Sequence, residues 1–74
     1  MPRFSGQRLR AARKDAGLSR ERVAVAAGVS VSSIERWEQG GAQPGVEAAA
    51  RVATTLGVTV DDLLDVPQAV GAAA

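Results

Sequence analysis

The sequence predicts an all-α fold of five helices, and three observations predict it. Apolar residues recur three and four apart, as at Leu9, Ala12 and Ala16 or at Ile34 and Trp37, rather than in alternation. Hydroxyl residues stand where helices would start, at Ser19, Ser30 and Thr59. Glycines stand where they would stop, at Gly17, Gly28, Gly40 and Gly57. No segment carries a convincing strand pattern.

The first helix is expected from about Gly6 to Ala16, with Gly17 ending it. Ser19 caps the second, about Arg20 to Ala27, whose buried stripe is Val23, Ala24 and Ala27. Its capping box is partial, because Arg22 rather than a carboxylate or amide follows the cap by three. Glu21 still suits the positive end of the helix. Gly28 and Ser30 frame a tight turn into the third helix, about Val31 to Gln39. There Ile34 and Trp37 share one face, while Val31, Ser32, Glu35 and Arg36 occupy others. Residues 40–44 read as a loop. The fourth helix runs from Gly45 or Val46 to Leu56, with Val46, Ala49, Ala50, Ala53 and Leu56 inward. Thr59 caps a fifth, about Val60 to Leu64, with two aspartates in its first turn. Residues 1–65 thus make one domain, and 66–74 read as a flexible tail of proline, glycine and alanine.

The expected core is rich in alanine, with few large side chains. Leu9, Val23, Ile34, Trp37 and Leu56 lead it, and Trp37 is the largest single contributor. As the one tryptophan in a chain without tyrosine, it argues against an aromatic surface for single strands.

Composition narrows the chemistry. The 74 residues include no cysteine and no histidine, which removes disulfides and thiolate or imidazole metal sites. No phosphate-binding glycine motif is present, and no carboxylate cluster has ligand spacing. An enzyme is therefore not expected, nor a cofactor or a metal. No apolar run approaches the roughly 20 residues of a membrane span, and the chain reads as cytoplasmic. The net charge of +1 hides an uneven distribution. Residues 1–22 carry seven basic against two acidic side chains, and residues 23–74 two against six. A basic first part suits a polyanion, while a solvated arginine-rich helix is the plainer alternative.

Taken in order, these elements resemble the phage repressor and Cro type of helix-turn-helix domain, the xenobiotic-response-element family. The matching stretches are Leu9-Arg10-Ala11-Ala12-Arg13, Gly17-Leu18-Ser19-Arg20-Glu21-Arg22-Val23-Ala24, Ala27-Gly28-Val29-Ser30 and Ile34-Glu35-Arg36-Trp37-Glu38-Gln39-Gly40. Pro44 and Leu56-Gly57-Val58 complete the set, which spans about residues 6–65. The resemblance implies a compact five-helix bundle that reads duplex DNA with its second and third helices. It implies dimers on inverted-repeat operators. It sets Val31, Ser32 and Arg36 against base edges, with Glu35 at the margin. It also implies a partly buried ion pair between Arg13 and Glu38. Two residues depart from the family's pattern. Arg20 stands where a phosphate-binding glutamine is common, and Val31 where a polar reader is common.

Each assignment has a plainer alternative. Arg36 suits guanine O6 and N7 through its fork, or else pairs with Ser32 or Glu35, or meets phosphate alone. Val31 cannot hydrogen-bond a base but can pack on a thymine methyl. Ser32 and Ser33 reach DNA or simply favour a first turn. Ser19 and Arg20 offer a helix N-terminus and a cation to the backbone, and Gly41 and Gln43 let the loop approach it. Glu35 is more simply an intrahelical partner.

The leading functional expectation is a sequence-specific, double-stranded DNA-binding regulator of transcription, a repressor of a bacterium or phage. The alternative is a protein-interaction or antitoxin-like module. Val60, Leu63, Leu64 and Val66 cluster late in the chain and suggest a weak homodimer.

Overall fold

The computed structural model describes residues 3–65. Its elements are strand β1 (Arg3–Phe4), helices α1 (Gly6–Asp15), α2 (Arg20–Ala27), α3 (Val31–Gln39) and α4 (Val46–Leu56), a single 3₁₀ turn (Asp61–Leu63) and strand β2 (Leu64–Asp65). The tail and Val66 lie outside the described residues.

Local chemistry sets the helix boundaries. Ser5, Ser19 and Ser30 each adopt extended backbone and accept from the N–H three residues on, at 3.2, 3.1 and 3.0 Å. Each cap satisfies an N–H that the helix itself leaves free. The turn between α2 and α3 rests on Gly28, whose φ of +71° disfavours any side chain. Beyond it the Val29 N–H donates back to the Ala24 carbonyl at 3.0 Å, which closes α2 with a six-residue loop.

The fifth α-helix is not formed. Thr59 does cap a turn: its hydroxyl accepts from the Asp62 N–H at 3.2 Å, and its own N–H donates to the Asp62 carboxylate at 3.0 Å. That turn ends after Leu63, because Leu64 and Asp65 extend to pair antiparallel with Phe4 and Arg3. The Ser5 N–H donates to the Leu63 carbonyl at 2.8 Å and ties the ribbon to the start of α1. The expectation of no strand is corrected by the same ribbon. Two-residue strands have no period to detect, and their partner lies at the other end of the chain.

The core is one cluster. Leu9 of α1, Val23, Ala24 and Ala27 of α2, Ile34 and Trp37 of α3, Val52, Ala53 and Leu56 of α4, and Leu63 pack together. Leu9, Val23, Ile34, Val52 and Leu63 are fully buried. Helix α4 buries Ala49, Ala53 and Leu56 as its sequence suggests, but adds Val52 and leaves out Ala50 and Val46. Ala50 is exposed and Val46 is 87% exposed. Ala50 lies about 100° from Ala49, off the edge of the stripe. Val46 lies in line with the stripe but at the first turn, where its Cβ tilts outward past the core. Ala16, read as part of the first helix stripe, is the exposed C-cap of α1.

Candidate nucleic-acid interface

Helix α3 has one buried face and one open face. Ile34 and Trp37 anchor it in the core. Ser32, Glu35 and Arg36 are exposed, and Ser32 and Arg36 stand four apart on one side. Val31 is half-buried and packs partly on the core, so only part of it is open to a partner. Ser33 is drawn toward its own helix start, where its hydroxyl accepts from that of Ser30 at 2.9 Å. Its proton remains available to a further acceptor. The Arg36 carbonyl accepts from the Gly41 N–H at 2.9 Å, which folds the loop back over the end of α3. Gly41 and Gln43 are exposed in that loop.

The N-terminus of α2 meets the last turn of α3, where Arg20 contacts Glu38. Ser19 is exposed and committed as the cap. Arg20 follows, then exposed Arg22, which makes no ion pair among the described residues. Both ends of α2 are tied to other helices. Arg51 of α4 donates through Nε to the Ala27 carbonyl at 2.9 Å, supplying a donor to the last turn of α2.

At the other end, two arginines share one carboxylate. Arg13 Nε donates to Glu38 Oε2 at 2.7 Å, and its Nη2 to Oε1 at 3.4 Å. Arg13 Nη1 donates to the Leu18 carbonyl at 3.0 Å. Arg20 Nε donates to Glu38 Oε1 at 3.0 Å. The Glu38 side chain is 2% exposed. Burial works to raise its carboxyl, but the hydrogen bonds from Arg13 and Arg20, with their charges, outweigh that and hold it below the usual carboxylate range. One cluster thus joins α1, α2 and α3.

The fold also redistributes the charge seen along the sequence. Arg8, Arg13 and Arg20 of the basic first part pair with Asp65 and Glu38 of the acidic second part. The two parts therefore do not face opposite ways as blocks. Among the described residues Arg3, Arg10, Lys14, Arg22 and Arg36 make no ion pair.

Sequence reasoning missed three of these features. The Ser5 cap had a legible signal, a serine directly before the helix. The Arg20 to Glu38 and Arg51 to Ala27 contacts had none, since 18 and 24 residues separate the partners. Among the described residues no acidic cluster is arranged to hold a metal ion, and no helix is long and apolar enough to cross a membrane.

Comparison with known proteins gives the same picture of the fold. The helix-turn-helix domain family matches residues 6–66. The HTH-type transcriptional regulator DdrOP3 of Deinococcus deserti is 39% identical over 59 residues, which is 80% of this chain and 46% of that protein. The chain therefore spans about half the length of that relative. The restriction-modification controller protein C.AhdI of Aeromonas hydrophila superposes with a TM-score of 0.75 at 33% identity, over 78% of this chain and 88% of its own. The P22 c2 repressor, solved in complex with a synthetic operator, gives 0.77 at 28% identity, over 82% and 92%.

Proposed function

The chain belongs to the helix-turn-helix domain family, and we propose that it regulates transcription by binding double-stranded DNA with α3 in the major groove. The observation that carries this reading is the two-sided α3. Its Ile34 and Trp37 side is locked in the core, Ser32 and Arg36 are exposed four apart on another side, and Arg20 at the N-terminus of α2 is tied to Glu38 of α3 itself. The relatives support it by name, since one is a transcriptional regulator and another a repressor solved with a synthetic operator.

In this reading Val31, Ser32 and Arg36 meet base edges. Arg36 takes guanine through its planar fork, Ser32 adds one hydrogen bond, and the open part of Val31 packs on a thymine methyl. Ser19, Arg20, Ser33, Gly41 and Gln43 meet phosphates on either side and set the register of α3. The protein does no chemistry: it occupies a promoter in the cytoplasm and represses by occlusion.

Binding as a weak dimer on an inverted repeat is part of the proposal, with a revised surface. Leu63 is fully buried in the protein's own core and is unavailable to a partner. Val60 and Leu64, both half-buried, remain as contact residues, and Val66 lies outside the described residues. Two half-sites about one helical turn apart would hold such a pair together.

Selection of bound duplexes from a random pool tests the reading. An enriched, two-fold symmetric site whose binding weakens steeply with salt is expected. Failure to bind any duplex at low salt would overturn it in favour of a protein-interaction module.

A further inference from the structure

The Glu38 side chain is buried and accepts from two arginines, Arg13 and Arg20. We propose that Glu38 is a positioning residue for DNA affinity, holding the Arg20 guanidinium by its Nε so that both terminal nitrogens face a backbone phosphate. The inference rests on the DNA-binding reading above and deepens it by assigning how one phosphate is gripped.

The two arginines are used differently. Arg13 is 9% exposed and spends all three nitrogens inward, two on Glu38 and one on the Leu18 carbonyl. Arg20 is 37% exposed and spends only Nε. Its two Nη groups have no partner among the described residues. Two cations on one anion leave a net charge of +1, and the excess sits on the exposed member. Arg20 is also the first residue of α2, where the helix leaves N–H groups free. A free surface arginine must give up rotamer freedom to grip a phosphate. An arginine already tethered by Nε has given up most of it before DNA arrives. Glu38 itself meets no phosphate, since Arg13 and Arg20 cover both its oxygens.

The test is a double-mutant cycle on the whole chain. Affinity for a short fluorescent duplex of mixed sequence is measured across a salt series for wild type, Arg20→Ala, Glu38→Gln and the double variant. Glu38→Gln is expected to weaken binding about tenfold when Arg20 is present. It should change affinity less than about twofold when Arg20 is already alanine. Equal losses in both backgrounds would make Glu38 merely structural and overturn the proposal. Tighter binding by Glu38→Gln would overturn it too, by showing that Glu38 withholds Arg20 from DNA. Should Glu38→Gln fail to fold, Arg20→Lys carries the test. It keeps the charge, and with it the salt slope, but lacks the Nε, so binding about tenfold weaker is expected. Wild-type affinity in that variant would contradict the proposal. A wild-type chain that binds no duplex would refute the DNA-binding reading itself, an outcome distinct from additive losses in a chain that binds.

Discussion

Gly6 packs so closely on the Trp37 carbonyl that a Cβ at residue 6 would overlap it. The same Cβ would fall within 2.5 Å of the Glu38 carbonyl oxygen. Both neighbours are backbone, so neither can swing aside. The N-terminus of α1 thus sits against the C-terminal carbonyls of α3, with helix dipole ends of opposite sign in contact. Gly6→Ala should cost about 1–3 kcal/mol by overpacking, although alanine is the better helix former. Urea unfolding checks this, and a variant as stable as wild type would show that α1 and α3 are not locked this way.

Trp37 is 8% exposed and touches the centre of an alanine-rich core. Trp37→Ala should cost about 3–5 kcal/mol, a large share of the stability of so small a domain. Thermal melting reads it directly. A variant that melts normally but no longer binds DNA would make Trp37 a contact residue and would reverse the face assigned to α3.

Glu38 makes stability sensitive to acid. Its carboxyl is held below its ordinary value of 4.5, so the unfolded chain takes up the proton first as pH falls. Its contribution is full above about 4.5 and drains away as pH drops through the folded value. Asp62 acts in the same direction, because the Thr59 N–H and hydroxyl hold it low as well. Melts between neutral and acid pH should therefore show a loss that Glu38→Gln reduces without abolishing. An identical pH slope in that variant would contradict the assignment.

Arg20→Ala should weaken binding to all duplex sequences about equally and lower the salt slope by about 1, as one lost phosphate contact requires. Unchanged salt dependence would place Arg20 away from the backbone.

The parts of this fold that were legible in the sequence are those fixed locally. Ser19, Ser30, Gly28 and Gly40 mark α2, the turn and α3, because capping and positive φ are demands of single residues on their own backbone. The Ile34 and Trp37 face was legible for the same reason, since helical period alone sets it. What was hidden depends on distant partners. The turn at Asp61 stops short of a helix because Leu64 pairs with Phe4, across almost the whole chain. Val46 has the period of a core residue but sits past the end of the core. Arg20 reads as a free cation until the fold brings Glu38 beneath it.

The central claim is that α3 reads base pairs, and Arg36 tests it most directly. Its side chain is exposed away from the face that buries Ile34 and Trp37, on the side shared with Ser32. Wild type, Arg36→Ala and Arg36→Lys are measured at fixed salt on the selected duplex and on its single-base changes. Arg36→Ala should lose about 1–3 kcal/mol of discrimination at one base pair per half-site while nonspecific affinity changes little, and Arg36→Lys should not restore it. Equal losses on every sequence would contradict the account and reduce Arg36 to a backbone contact.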